Sequence, residues 1–490
     1  MRFNSWEFPL FFLIIWGIYL ILKRKQQNLW LLAASYVFYG WWDWRFTSLL
    51  AISTIMDYVC GNIMDNPRML KWGGGAKWRK GVLVFSLCTN LGILGFFKYF
   101  NFFADSFERA VAPLGFTPDF ITLNIILPVG ISFYTFQTMA YVIDVYRGKE
   151  KPCRNFWDFA LYVAYFPQLV AGPIERAGNL IPQFQKERNI NPDQFYAGVR
   201  LIFWGFFKKI FIADSAAPFV NQCFANPEGI NGIHLLFGAY LFALQVYGDF
   251  SGYTDIARGI SRLFGIELCL NFRQPYLSTS ITDFWRRWHI SLSNWLRDYL
   301  YIPLGGNRKG TRRTYINLML TMLLGGLWHG AALTFIIWGG LHGLYLAVHK
   351  AVTGKKVNSQ ERDRQRSGIS RFLSIFVTFN LICFAWVFFR ADTLGGALTY
   401  ISGIFTQSEG IKLDGLQATF ILNMLVVFAL DSFCEKQKSE VPLVRLDEAK
   451  TFWQKVYNNA VVRGFLYSIT LFFLVFIGGD ASEPFVYFQF

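Results

Sequence analysis

The chain is 490 residues long, 53% hydrophobic and 19% aromatic, and only 16% of it is charged, well below the share in an ordinary soluble domain. Lysine and arginine total 47 against 32 aspartate and glutamate, a formal net charge of +15. This excludes a disordered chain, an ordinary soluble enzyme and a nucleic-acid binder with a soluble basic face; it describes a polytopic membrane protein whose few charges lie outside the bilayer.

In chain order, the first uncharged run is Phe8–Leu22, followed at once by Lys23-Arg24-Lys25. A signal peptide carries its positive charge before the apolar stretch, so this run predicts a retained helix with its N-terminus outside. Further uncharged runs are Gln26–Trp42, Phe46–Met56, Gly81–Phe97, Phe120–Ile143, Phe159–Ile174, Gly229–Gly248, Thr314–His349, Phe372–Phe389, Gly415–Leu430 and Gly464–Gly479. Phe195–Val220 is apolar too, but Lys208-Lys209 interrupts it. Phe159–Ile174 exits through Gly172-Pro173 and reads as re-entrant. Thr314–His349, at 36 residues, is too long for one crossing; Gly325-Gly326, Gly330, Gly339-Gly340 and Gly343 predict a break into two short helices.

Basic stretches at Lys71–Lys80, Arg147–Arg154, Arg308–Arg313 and Lys350–Arg371 mark the cytoplasmic side, and Asp105–Asp119 and Ala391–Gly415 the outside. The expectation is an all-α integral membrane protein of about eleven spans with re-entrant and interfacial helices, forming one domain over residues 1–490. Seven dispersed cysteines with no CxxC pair predict neither a disulfide framework nor a zinc knuckle.

Ionisable residues at membrane depth are costly and are functional candidates. His329 lies midway along the 36-residue run, in Gly325-Gly326-Leu327-Trp328-His329-Gly330. It reads either as a core histidine bonded to a carbonyl or as a general base that takes a proton from a hydroxyl. His289 lies in Asp283-Phe284-Trp285-Arg286-Arg287-Trp288-His289, the start of a segment reaching Tyr299. At helical spacing Trp285, Trp288, Leu292, Trp295 and Tyr299 form one stripe, predicting an amphipathic interfacial helix. It is either a plain anchor or a site whose arginines bind a phosphate-bearing donor.

His342 and His349 read as core or interface histidines; the run holds no carboxylate and no HExxH, and no metal site is expected. In Gly248-Asp249-Phe250-Ser251-Gly252 the spacing does not fit a nucleophile elbow, and Asp249 and Asp255 are expected to bond arginine or backbone groups at a helix break. Pro303–Gly310, containing Arg308 and Lys309, is a glycine-rich basic turn without Walker spacing.

Taken together, Phe284-Trp285-Arg286-Arg287-Trp288-His289, Leu304-Gly305-Gly306-Asn307-Arg308-Lys309-Gly310 and Gly326-Leu327-Trp328-His329-Gly330 resemble the membrane-bound O-acyltransferase family, in its bacterial polysaccharide branch. The likeness is densest over residues 245–342. It implies a helical ring of about eleven spans around a central funnel. The family's principal catalytic histidine matches His329. A second functional position, often asparagine in eukaryotic sterol and diacylglycerol acyltransferases, matches His289. Trp285, Arg286, Arg287, Trp288, Asn294, Arg308, Trp328 and Asp249 are the substrate-binding residues expected with them.

The resemblance further implies O-acetyl transfer from a cytoplasmic thioester, acetyl-CoA or an acyl carrier protein, to an extracytoplasmic polysaccharide such as alginate. No tightly bound cofactor and no nucleic acid are expected. The implied partners are an extracytoplasmic serine-hydrolase-like acetyltransferase and membrane lipids, in the bacterial cytoplasmic membrane. Two other readings stay open at this point: a transporter or flippase for an acyl-bearing molecule, and a non-catalytic scaffold for the extracytoplasmic enzyme.

Overall fold

The computed structural model describes residues 1–66, 75–114, 125–354, 368–407, 415–442, 456, 458–477 and 485. Residues 71–74, 115–119, 355–367 and 408–414, within the stretches used to assign membrane sides, and 486–490 at the C-terminus lie outside the described residues.

Regular structure among the described residues is entirely helical, the arrangement that satisfies backbone polar groups within each membrane segment. Among the described residues four helices are long and apolar enough to cross a bilayer: Trp44–Met64, Ala76–Glu108, Gly232–Leu263 and Gly368–Arg390. Glu7–Ile21 and Leu394–Thr406 are apolar but shorter. Among the described residues, length and hydropathy thus mark fewer crossings than the roughly eleven expected. One reason is visible in Leu333–Thr353, which is 21 residues long yet carries histidines and glycines in its interior.

The chain divides into two compact units, residues 1–199 with 257–269, and 200–256 with 270–490. The first contains α1 (Glu7–Ile21), α2 (Arg24–Gly40), α3 (Thr47–Met64), α4 (Ala76–Val111), α5 (Ile131–Tyr146), α6 (Phe156–Ala164), α7 (Phe166–Leu169) and α8 (Ala177–Gln185). Its interior polar groups meet in pairs. Buried Asp57 on α3 accepts from Ser86 Oγ at 2.6 Å and Asn90 Nδ2 at 2.9 Å, both on α4. The run expected to be re-entrant forms α6 and α7, nine and four residues long and almost wholly buried. At about 1.5 Å per residue neither reaches across the hydrocarbon core.

Chain continuity through α9 (Pro192–Phe206) leads to the second unit. There a π-helical segment, Phe207–Asp214, is followed by α10 (Ser215–Ala225) and α11 (Gly232–Leu263). Lys208 and Lys209, which interrupt the apolar run, are buried and ion-paired. Lys208 Nζ meets Asp255, and Lys209 Nζ lies 2.8 Å from both Asp214 and Asp249. This corrects the expectation for Asp249 and Asp255: their partners are lysines from another helix, and α11 runs unbroken through both positions.

Next come α12 (Ile281–Arg287), α13 (Ile290–Leu296), α14 (Gly310–His329), α15 (Leu333–Thr353), α16 (Gly368–Arg390), α17 (Leu394–Thr406), α18 (Gly415–Gln437) and α19 (Ala460–Ile477). The 36-residue run is indeed divided, but only at 330–332, into helices of 20 and 21 residues that are not short. Its paired glycines are contact points. A Cβ on Gly326 would stand 2.2 Å from the Phe335 carbonyl oxygen, and one on Gly339 would stand 2.3 Å from that of Met322. Side chains at these positions would force the α14–α15 hairpin apart.

Candidate functional site

His329 is the last residue of α14, at the turn of this hairpin, and only 6% exposed. Extended backbone at Gly330 and Ala332 reverses the chain and brings Trp338 of α15 back over the imidazole. The ring sits edge-to-face against Trp328 at 4.9 Å, Trp338 at 5.1 Å and Phe389 of α16 at 5.3 Å between centroids. These surroundings are apolar, and the imidazole ends its helix among them.

His289 occupies the joint between α12 and α13 with φ of +41°, a left-handed conformation that a non-glycine residue adopts only when its surroundings impose it. Asn271 is what holds it. Its backbone carbonyl accepts from Ile290 N at 2.9 Å, and its Oδ1 accepts from Ser291 N at 3.2 Å and Ser291 Oγ at 2.9 Å. The same Oδ1 lies 3.1 Å from His289 Nδ1. The backbone N–H of Ser291 fixes that atom as an acceptor, so Nδ1 of a neutral His289 carries the proton and Nε2 the lone pair. The continuous interfacial helix expected from Trp285 to Tyr299 is therefore two seven-residue helices and a π-helical segment, Arg297–Tyr301.

Forty positions apart in sequence, the two histidines share one neighbour. Trp328 lies 4.9 Å from His329 and 6.3 Å from His289, and Phe250 of α11 covers His289 edge-on at 4.7 Å. Trp288 is buried against Phe272, Phe284 and Trp386 at 5.0, 5.5 and 5.1 Å. Trp285 turns toward α15, 5.9 Å from Trp338.

The remaining expected residues lie in different settings. Arg286 and Arg308 are exposed and Asn294 is half-buried. Arg287 is engaged with Asp283 at 2.9 Å and Glu435 at 2.7 Å; burial disfavours its cation, but those carboxylates outweigh this and raise its pKa. Asp249 is 1% exposed and held by Lys209. Among the described residues no cluster of three histidine, cysteine or acidic side chains is placed to hold a metal. Asn271, Trp338, Trp386 and Phe389 belong to the site but carry no motif that singles them out in the sequence.

The model of the membrane-bound O-acyltransferase family matches residues 153–389, which contain the whole histidine–tryptophan cluster. Over its full length the chain is 41% identical to the full length of a Pseudomonas putida protein named probable alginate O-acetylase. The chain belongs to the membrane-bound O-acyltransferase family. It is 43% identical to the Pseudomonas aeruginosa protein of the same name over 88% of this chain and 82% of that one. It is 34% identical to the Helicobacter pylori peptidoglycan O-acetyltransferase over 96% and 94% of the two chains. It is accordingly a multi-pass membrane acyltransferase, and acyl transfer takes the place of the transport and scaffold readings.

Proposed function

We propose that this acyltransferase takes an acetyl group from a cytoplasmic thioester and passes it across the bacterial cytoplasmic membrane for O-acetylation of an extracytoplasmic polysaccharide such as alginate. The observation that carries this reading is His329, buried at a helix C-terminus among Trp328, Trp338 and Phe389, with His289 also against Trp328. Relatives named for alginate and peptidoglycan O-acetylation support the substrate class.

In this mechanism His329 takes the proton of an acceptor hydroxyl as its oxygen attacks the thioester carbonyl carbon. The tetrahedral intermediate collapses with formation of the ester and cleavage of the carbon–sulfur bond, and His329 returns the proton to the departing thiolate. The oxyanion needs a preorganised donor, a role assigned to a tryptophan N–H, or to His289 when its Nε2 also carries a proton. Exposed Arg286 and Arg308 are assigned to the anionic part of acetyl-CoA or an acyl carrier protein, whereas Arg287 and Asp249, already ion-paired, hold their helices in place. The N-terminus lies outside, and an extracytoplasmic serine-hydrolase-like acetyltransferase completes delivery to the polymer.

Purified protein in proteoliposomes supplied with an acetyl thioester tests this directly. Thiol release and acetyl transfer should fall by about a hundredfold or more in His329→Ala and His329→Gln while the melting temperature holds. Undiminished transfer by folded His329→Ala overturns the reading.

A further inference from the structure

His342 of α15 has no exposed surface, and neither of its ring nitrogens has a hydrogen-bond partner among the described residues. The buried indole N–H groups of Trp285 and Trp338 are likewise without partners there. The three belong together: the His342 ring lies 5.1 Å from Trp285 and 4.8 Å from Trp338, and Trp338 in turn lies 5.1 Å from His329. Trp338 of this group therefore packs directly against the proposed base. A buried polar atom left unpaired is costly, so several on adjoining rings, beside a reaction centre, describe a place built for a polar group of a ligand.

The chemistry of that group follows from what the side chains offer. Indole nitrogens only donate, while a neutral imidazole donates from one nitrogen and accepts at the other. A carboxylate or phosphate would bring only acceptors, and the rings around His342, those of Phe284, Trp285, Trp338 and Tyr345, include no cation to balance its charge. A hydrocarbon would leave every atom unsatisfied. A secondary amide fits: its carbonyl accepts from indole N–H, and its own N–H donates to the imidazole.

We infer that Trp285, Trp338 and His342 form a station for a secondary amide of the donor's arm. This rests on the acyl-transfer reading and deepens it. Acetyl-CoA and acyl carrier proteins both present their acyl group on an arm containing secondary amides. Holding one of them here sets the thioester beside His329.

The test uses two non-reactive thioethers and needs no turnover: S-ethyl pantetheine, and an analogue whose amides are replaced by methylene groups. Affinities are measured on the full-length purified protein. Wild type should prefer the amide compound by about tenfold or more, the factor that one satisfied buried hydrogen bond supplies. Trp285→Phe keeps the ring and removes one N–H, and should lower that preference severalfold. His342→Phe should bring it near unity, and His342→Asn, which restores a donor and an acceptor, should recover part of it.

Equal binding of the two probes by wild type overturns the inference. So does an unchanged preference in folded Trp285→Phe and His342→Asn, or a loss of affinity for both probes in the same proportion, the mark of a merely structural role. Failure of the His329 mechanism is separate, because activity of His329→Ala would leave the probe ratio unaltered.

Discussion

Two groups of polar residues are buried in the second unit, and they are finished in opposite ways. Along the π-helical segment and α11, Lys208 and Lys209 face Asp214, Asp249 and Asp255, and Lys209 closes on Asp214 and on Asp249 at 2.8 Å. Around the α14–α15 hairpin, by contrast, Trp285, Trp338 and His342 are packed by rings and keep polar atoms without partners among the described residues. The first group answers its own desolvation cost and is tied to stability. The second leaves hydrogen-bonding capacity for something that arrives, and it adjoins the histidine to which the chemistry is assigned. In an apolar protein, burial of a polar residue is a weak guide to function; whether its partners come from the chain itself separates the two cases.

The largest effect expected is at His329, where alanine should lower acetyl transfer by about 100- to 10,000-fold with little change in melting temperature. Lys209→Met should do the reverse. It leaves Asp214 and Asp249 buried without their cation, a loss of about 3–5 kcal/mol, and any fall in activity should track the fraction of folded protein in thermal or denaturant unfolding. A Lys209→Met protein that is fully folded but inactive would collapse the distinction between the two regions.

Gly339→Ala should fall between them. Its new methyl meets the Met322 carbonyl at 2.3 Å, so about 1–3 kcal/mol of overpacking strain should appear in unfolding together with reduced turnover, because the hairpin it spreads carries His329. Asn271→Ala removes the acceptor of His289 Nδ1 and of Ser291. Turnover should drop, by up to about a hundredfold if His289 is displaced by an ångström, more than stability does. Smallest of all, Arg371→Gln removes one of the two arginines on Glu435 and leaves Arg287 in place; for such a half-exposed pair, unfolding should change by about 0–1 kcal/mol.

Both histidines stand out in the sequence because His289 follows a tryptophan–arginine motif, His329 lies in a tryptophan–glycine one, and ionisable residues are rare in such a chain. The helical class and the divided 36-residue run were legible for the same local reasons. What escaped was set by distant partners. The stripe Trp285–Tyr299 has the periodicity of one helix, yet Asn271, eighteen residues before His289, holds that residue at φ +41° and splits it. Glycine pairs read as breaks because only the facing helix of the hairpin reveals that they are contacts. Asp249 has no neighbour in sequence that predicts Lys209, forty positions away on another helix. Trp338 and Trp386, two of seventeen tryptophans, are indistinguishable from packing residues until the fold gathers them.

A structure with a non-hydrolysable acetyl-thioester analogue bound is the most direct measurement. The acyl carbonyl carbon should lie where an acceptor oxygen about 3–3.5 Å from it is also within about 3 Å of the His329 imidazole. An acyl group seated at the Lys208–Lys209 network, or beyond the reach of His329 through one hydroxyl, would contradict the account.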